Sequence, residues 1–258
     1  MENPLKTLWA EGKPVLNGWC SIGSAHTAEI MARQGYDSLT VDTQHGAFDY
    51  GAALSMLQAM GGKKVVPLAR VPWLDAGAIM KLLDAGAMGI ICPMINTAED
   101  AAAFASYLRY PPHGQRSFGP TRAGLAYPGY GVAANDAVLG FAMIETQAGL
   151  DNVEAIAATP GIDGLYVGPA DLTLGLSQGA LPAGFDRDEP EIVAAIKRIA
   201  QVALDAGKIP ALHCMSPEYA AKALDWGFRM VTLNGDARLL AAASGASVAA
   251  FRALQNDA

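Results

Sequence analysis

The chain repeats one pattern of hydrophobic and polar positions along most of its length. An Ala/Leu-rich stretch ends in a glycine, a few connecting residues follow, and then comes a short apolar run; in four of these units the glycine is Gly35, Gly86, Gly207 or Gly227. Glycine suits the left-handed residue that ends many helices. Each unit therefore predicts a helix, a cap and a strand.

The short apolar runs are the candidate strands. They do not alternate with polar residues, which is typical of parallel strands that are buried on both faces. The best-defined helix is predicted over residues 190–206, where Ile192, Ile196 and Ile199 recur at helical spacing behind Pro190. We place the eight strands at 15–20, 38–42, 65–70, 89–93, 141–145, 164–167, 210–213 and 230–233.

Eight strands separated by helices predict an α/β fold, a (β/α)8 TIM barrel, and we expect residues 1–258 to form a single domain. The alternative is a doubly wound open sheet with a glycine-rich dinucleotide turn after the first strand. The sequence Cys20-Ser-Ile-Gly23-Ser does not match that turn. The segment from Tyr110 to Asn135 is long and irregular, and we expect it to be functional or to lie in a subunit interface.

Composition narrows the classes of partner. The net charge is −7 and no Lys/Arg-rich run is present, so a nucleic acid is not an expected partner. The three cysteines are far apart and form no Cys-x-x-Cys pair, which indicates reduced thiols. Because no apolar segment reaches the length of a signal peptide or a membrane span, we expect no membrane partner and a soluble cytoplasmic protein.

Ionisable side chains follow five of the predicted strands. Barrel enzymes carry their chemistry at the carboxyl ends of the strands, so these side chains should meet at one mouth. The residues concerned are Asp42 with His45, Arg70, Glu145, Asp171 and His213.

Glu145 and Asp171 come from neighbouring strands and supply two hard oxygen ligands. Such ligands suit Mg²⁺ or Mn²⁺, which a 2-oxo acid can chelate through its carboxylate and keto oxygens. The alternative is that each carboxylate pairs with an arginine or caps a helix, and Asp171 could serve as an N-cap only. Gly168-Pro169-Ala170 would present the N–H groups of Gly168 and Ala170 to a substrate carboxylate, although a simple tight turn fits Gly-Pro equally well.

His45 stands just past a strand and is a candidate general base or proton shuttle. Asp42 could orient or charge its imidazole, and Arg70 could stabilise an oxyanion such as a pyruvate enolate. A structural salt bridge from Arg70 to Asp42 or Asp84 is the alternative. Asp84 is predicted in the last turn of a helix, where an anion opposes the helix dipole.

Together these motifs resemble those of the HpcH/HpaI family of class II pyruvate aldolases, which cleave 4-hydroxy-2-oxo acids and 2-keto-3-deoxy sugar acids. The resemblance covers nearly the whole chain. It is carried by Val41-Asp-Thr-Gln-His45, Leu68-Ala-Arg70-Val-Pro-Trp, Lys81-Leu-Leu-Asp84-Ala-Gly, Arg109-Tyr-Pro-Pro-His-Gly-Gln-Arg116, Ile144-Glu145-Thr and Gly168-Pro-Ala-Asp171-Leu.

The resemblance implies a reversible, divalent-metal-dependent aldol cleavage that yields pyruvate, or a related 2-oxo acid, and an aldehyde. It implies that Glu145 and Asp171 bind Mg²⁺ or Mn²⁺, with Co²⁺ a further candidate, and that His45 is the acid/base. It also implies that Arg70 steadies the enolate and that Asp84 raises the basicity of His45. The expected assembly is a homohexamer, a trimer of dimers, in which subunits exchange the C-terminal helix.

The chain departs from the family pattern at two places near the expected substrate. Family members commonly carry Gly-Glu where this chain has Thr43-Gln44, and Gln where it has Met143. Each change removes a polar or charged group. We therefore expect Asp42, Gln44 and Met143 to line the substrate, together with the turn from Gly168 to Ala170, and the family's usual substrate to be altered.

Three other functions fit a barrel of this size. A class I aldolase would need a lysine at the mouth, but Lys64 and Lys208 lie at the opposite ends of their strands. A phosphosugar enzyme would need a phosphate cradle after the last two strands, and the residues there, His213-Cys-Met-Ser-Pro and Asn234-Gly-Asp236, make a poor one. A barrel that binds a keto acid without turnover remains the alternative outside enzymes.

Overall fold

The computed structural model of the chain describes residues 1–256. Its eight strands are all parallel and close into one barrel in chain order, with β1 paired to both β2 and β8. The strands are β1 Val15–Cys20, β2 Ser38–Asp42, β3 Val66–Arg70, β4 Gly89–Cys92, β5 Leu139–Ile144, β6 Gly164–Val167, β7 Ile209–Cys214 and β8 Met230–Leu233.

Helices connect and surround these strands. Residues 1–256 contain α1 Pro4–Ala10, α2 Ala25–Met31, α3 Tyr50–Met60, α4 Ala76–Asp84, α5 Ala98–Leu108, α6 Thr121–Ala126, α7 Ala134–Ala137, α8 Gln147–Asp151, α9 Val153–Ala158, α10 Pro169–Leu176, α11 Pro190–Asp205, α12 Pro217–Asp225 and α13 Asp236–Asn256.

The predicted barrel is confirmed. Four strands have the predicted bounds, and the other four differ by at most two residues at either end. The helix expected over 190–206 is α11, which buries Ile192, Ile196 and Ile199 against the barrel. All four glycines expected to follow helices have a positive φ, between 67° and 104°. The periodicity of the chain therefore located the elements that carry the site.

The segment from Tyr110 to Asn135 is more ordered than expected, because it contains the short helix α6 and the start of α7. It is fastened by Arg116, whose side chain is fully buried. The Arg116 guanidinium donates to Asp84 at the end of α4 (2.7 Å) and to the Tyr130 hydroxyl (3.0 Å). The segment therefore packs as part of the body of the barrel.

The C-terminal helix α13 follows β8 and is the longest helix of the described chain. Asp236 begins it and accepts hydrogen bonds from the Ser21 and Ile22 backbone N–H groups. Further along, Leu240, Val248 and Phe251 are exposed. Within residues 1–256, this helix alone is long and apolar enough to span a membrane by length and composition, which by itself is weak grounds for a membrane segment.

Candidate active site

One cavity of about 540 Å³ opens at the carboxyl ends of the strands. Its charged half is formed by His45, Arg70, Glu145 and Asp171, and its aromatic half by Phe185, His213, Asn234 and Arg238. Met143, the Gly168–Ala170 turn and Trp19 also line the cavity.

Arg70 and Asp42 form a bidentate ion pair across neighbouring strands. Arg70 Nε donates to Asp42 Oδ1 at 2.8 Å and Nη2 donates to Oδ2 at 2.7 Å. Trp19 adds its Nε1–H to Asp42 Oδ2, and the Arg70 guanidinium lies 4.8 Å from the Trp19 ring centre. Burial acts to raise the pKa of Asp42, but hydrogen bonding and attraction from Arg70 outweigh it and hold that pKa below its usual value. Arg70 is thereby fixed where it lines the cavity.

Asp42 does not orient the His45 imidazole as the sequence suggested. Its Oδ1 accepts hydrogen bonds from the backbone N–H groups of Gln44 (3.1 Å) and His45 (3.3 Å). The salt bridge from Arg70 to Asp42, raised as an alternative, is present. The carboxylate therefore shapes the turn that carries His45 through backbone hydrogen bonds.

Glu145 is a buried carboxylate directly after β5, with 3% of its surface exposed. Its Oε1 accepts a hydrogen bond from the Met94 N–H at 2.8 Å, and Met94 holds a left-handed backbone (φ 57°). Burial, and then the nearby Asp171 carboxylate, raise the pKa of Glu145 to about 7, against the Met94 and Arg70 interactions that lower it. Two acids from adjacent strands therefore lie close enough to repel each other.

Asp171 is in the first turn of α10, and the residue that caps this helix is Gly168. The suggestion that Asp171 serves only as an N-cap is therefore wrong, and its exposed carboxylate lines the cavity. A Cβ on Gly168 would stand 2.3 Å from Glu145 Oε2, so only glycine allows the carboxylate and the turn to approach this closely. The first N–H groups of a helix lack partners within it, which leaves those of α10 available at the cavity.

His45 and Met143 both line the cavity, as the sequence suggested. His45 is exposed in the turn after β2, so its imidazole can exchange protons with solvent and with a bound molecule. Met143 is buried, and its methyl group would lie 2.9 Å from a Cβ on Gly168. The apolar side chain of Met143 therefore lines the cavity beside Glu145 and Asp171.

Two predicted site residues lie outside the cavity of the described chain. Asp84 accepts a hydrogen bond from the buried Arg116, which requires an anionic partner, and the structure does not bring it to His45. Gln44 does not line the cavity of the described chain, and its Oε1 is buried without a hydrogen-bond partner among the described residues. The expectation that Gln44 lines the substrate is therefore wrong for the described chain. In the turn after β2, His45 lines the cavity instead.

The sequence assigned no role to most of the aromatic half. The sequence identified His213 as a strand-end residue, whereas Phe185 lies in the irregular segment between α10 and α11, and Arg238 lies on α13. These side chains contact one another in a row: the His213 ring centre lies 4.8 Å from that of Trp19, edge-on, and 4.9 Å from that of Phe185, and the Arg238 guanidinium lies 4.8 Å from the Phe185 ring centre. Only the folded chain brings these distant segments together.

The described residues hold no group of three or more His, Cys, Asp or Glu side chains that could bind a metal ion. Glu145 and Asp171 would therefore share an ion with water and with a bound molecule, an arrangement that suits Mg²⁺ and Mn²⁺. Among the described residues that line the cavity there is no lysine, as a Schiff-base aldolase would need.

Comparisons with known proteins show the family and agree with the fold. A model of the HpcH/HpaI aldolase/citrate lyase family matches residues 18–243. A hydroxypyruvate/pyruvate aldolase from Rhizorhabdus wittichii is 42% identical over 253 residues, which cover 98% of this chain and 100% of that protein. A 4-hydroxy-2-oxovalerate aldolase from Rhodococcus jostii is 36% identical, and the match covers 96% of each chain. A crystal structure of a protein of this family from Burkholderia cenocepacia has a TM-score of 0.88 and 31% identity, covering 97% of this chain and 99% of that one.

Proposed function

The chain belongs to the HpcH/HpaI aldolase/citrate lyase family and is a class II aldolase, and we propose that it reversibly cleaves 4-hydroxy-2-oxo acids to pyruvate, or a related 2-oxo acid, and an aldehyde. The relatives with the names given above support the choice of substrates. The observation that carries the proposal is the meeting of Glu145, Asp171 and Arg70 in one cavity.

Glu145 and Asp171 are the residues that would hold a divalent ion, Mg²⁺, Mn²⁺ or Co²⁺. These two carboxylates fit a cation. Burial and the nearby Asp171 raise the pKa of Glu145 to about 7, and a cation bound between them would stabilise both ionised carboxylates. When bound, the ion supplies Lewis acidity to the ketone of the 2-oxo acid. The Met94 N–H keeps Oε1 of Glu145 in place, so that Oε2 faces the Gly168 turn.

Other groups around the cavity orient and stabilise the substrate. The N–H groups at the start of α10 are placed to bind the carboxylate of the 2-oxo acid, and Arg70 is placed to stabilise the negative charge that develops on the keto oxygen. Asp42 holds Arg70 through two hydrogen bonds, so the guanidinium does not have to reorganise during the reaction. Met143 excludes water from beside the reacting carbon.

His45 is proposed to move the proton. In the cleavage reaction His45 takes the proton from the 4-hydroxyl oxygen as the carbon–carbon bond breaks. In the reverse reaction, aldol addition, it returns a proton to that oxygen. Its exposure at the mouth lets it exchange protons with solvent between turnovers.

We propose that residues 1–258 form one domain and that the enzyme is a soluble cytoplasmic homohexamer. Three free, buried cysteines fit a reducing compartment. The apolar residues exposed along α13, such as Leu240 and Phe251, fit a helix that is covered by another subunit. Light scattering after size-exclusion chromatography tests this assembly, and a monomer at micromolar concentration would contradict it.

The function is tested by following exchange of the pyruvate methyl protons in heavy water by NMR. We expect exchange with added Mg²⁺ or Mn²⁺, loss of exchange with a chelator, and aldol addition once an aldehyde is present. Inactivation by borohydride in the presence of pyruvate would overturn the metal-dependent route. Binding of pyruvate without exchange would favour a barrel that does not turn its ligand over.

A further inference from the structure

A column of polar side chains runs through the barrel interior beneath the aromatic half of the cavity, and the proposed reaction does not use it. Five of its members are fully buried, and His213 closes it at the cavity. The column consists of Ser38, Thr40, Asn17, Thr232, Tyr166 and His213.

The hydrogen bonds of this column have a fixed direction. The hydroxyls of Ser38 and Thr40 donate to Asn17 Oδ1 at 2.8 and 3.2 Å, and Asn17 Nδ2 donates to Thr232 Oγ1 at 2.9 Å. The Thr232 hydroxyl is buried and must find an acceptor for its own hydrogen. Its one other partner in the described structure is the Tyr166 hydroxyl at 2.7 Å, so Thr232 donates to Tyr166.

The direction continues to His213. Because Tyr166 oxygen accepts from Thr232, its own hydrogen goes to its remaining partner, His213 Nδ1, at 3.2 Å. A neutral imidazole whose Nδ1 accepts a hydrogen bond carries its proton on Nε2. The column therefore selects the Nε2–H tautomer of His213.

The surroundings keep this imidazole uncharged. Burial, followed by the positive charges of Arg70 and Arg238, lowers the pKa of His213 to about 3, and Asp42 only partly opposes this. The ring is held between Trp19 and Phe185. Since Nδ1 faces the column and His213 lines the cavity, Nε2 is the nitrogen on the cavity side.

We propose that His213 is a specificity-determining residue, and that its Nε2–H donates a hydrogen bond to a second oxygen of the incoming aldehyde. The aromatic half would then favour oxygen-bearing aldehydes, such as hydroxyaldehydes, over alkyl aldehydes of the same size. This inference rests on the proposed aldolase function, and it places the acceptor opposite the charged half that holds the 2-oxo acid. Tyr166 and Thr232 are positioning residues that act through His213.

The tautomer is tested first, without reference to activity. In ¹⁵N-histidine-labelled protein, NMR distinguishes protonated from unprotonated ring nitrogens, and His213→Gln identifies the His213 signals. We expect a neutral ring with a protonated Nε2 from pH 5 to pH 9, and a mixture of tautomers in Tyr166→Phe. A protonated Nδ1 in the wild-type protein would overturn the proposal.

Acceptor choice is tested with metal-loaded enzyme, pyruvate and two aldehydes of equal size, glycolaldehyde and propionaldehyde. The kcat/KM for glycolaldehyde divided by that for propionaldehyde should fall about 3- to 10-fold in His213→Leu, which corresponds to the loss of one neutral hydrogen bond. It should fall less in His213→Gln, which keeps a donor, and remain unchanged in His26→Leu, a surface histidine that is 81% exposed. Tyr166→Phe gives an intermediate ratio and provides a second route if His213→Leu does not fold.

Pyruvate methyl exchange separates this proposal from the general function. In His213→Leu we expect exchange within about twofold of wild type, because the 2-oxo acid lies in the charged half. An unchanged aldehyde ratio, or equal loss of exchange and of both aldol reactions, would overturn the role of His213 while leaving the aldolase intact. A wild-type protein without exchange and aldol activity would overturn both.

Discussion

The two halves of the cavity are built by different means. In the charged half, Arg70 is fixed by its ion pair with Asp42, and Glu145 by the hydrogen bond from the Met94 N–H. In the aromatic half, Trp19 packs edge-on and Phe185 packs tilted against the His213 ring, and His213 is fixed by a column of neutral hydrogen bonds. A site that must stabilise charge uses fixed charges, whereas a site that must choose between neutral acceptors uses shape and hydrogen-bond direction.

This comparison first predicts that acids in the charged half cannot be replaced. Glu145→Gln should lower kcat/KM by about a thousandfold or more, because one of two ion ligands and its charge are lost. Mn²⁺ binding, followed by electron paramagnetic resonance, should weaken in parallel. Glu154→Gln is the matched control, since Glu154 forms an exposed surface pair with Arg198. Activity of Glu145→Gln within tenfold of wild type would contradict the role of Glu145.

The second prediction concerns the geometry of the guanidinium rather than its charge. Arg70→Lys keeps the charge but loses the bidentate pairing with Asp42, so we expect kcat and the rate of methyl exchange to fall about a hundredfold. Arg198→Lys, which alters the exposed pair with Glu154, should leave both within twofold. Equal effects of the two substitutions would mean that Arg70 has only a structural role.

The third prediction uses pH in the metal-free protein. The pKa of Glu145 is about 7 in the folded chain and close to 4.5 when unfolded. Below pH 4.5 both states hold the proton, and between 4.5 and 7 only the folded state does. This group should therefore lower the free energy of unfolding progressively across that window, by about 3 kcal/mol in total.

Urea unfolding at a series of pH values measures this effect. In Glu145→Gln the loss between pH 4.5 and 7 should disappear, because the amide does not titrate. Saturating Mg²⁺ or Mn²⁺ should reduce the loss in the wild-type protein, since a bound cation favours the ionised acid. Identical pH profiles for the two metal-free proteins would show that folding does not raise the pKa of Glu145.

The smallest effect expected for the charged half comes from adding one methyl group at Gly168. Gly168→Ala would place a Cβ 2.3 Å from Glu145 Oε2, so the carboxylate must shift, and we expect metal affinity to fall about 10- to 100-fold. Gly175→Ala in the same helix meets its nearest atoms at 3.5 Å and is the matched control. Unchanged affinity in Gly168→Ala would show that the carboxylate relaxes freely.

The sequence predicted the charged half better than the aromatic half. The four residues of the charged half stand at the end of a strand or within four residues after it, and in a parallel barrel all these strand ends meet at one mouth. Phe185 lies in an irregular segment and Arg238 on a helix far from it in the chain, so their arrival at the same cavity could not be predicted. Asp84 had the right motif, but its partner is Arg116, which lies far along the chain and is brought to α4 by folding.

By itself, the sequence determined the eight strands, the helices between them and the edge of the barrel where the chemistry lies. It could do so because hydrophobic periodicity and helix ends depend on neighbours in the chain. Tertiary structure alone decided that Asp42 binds Arg70, that Glu145 is buried beside Asp171 and that His213 presents Nε2–H. Each of these properties depends on burial and on distances of a few ångströms between residues from different strands, and no local pattern encodes them.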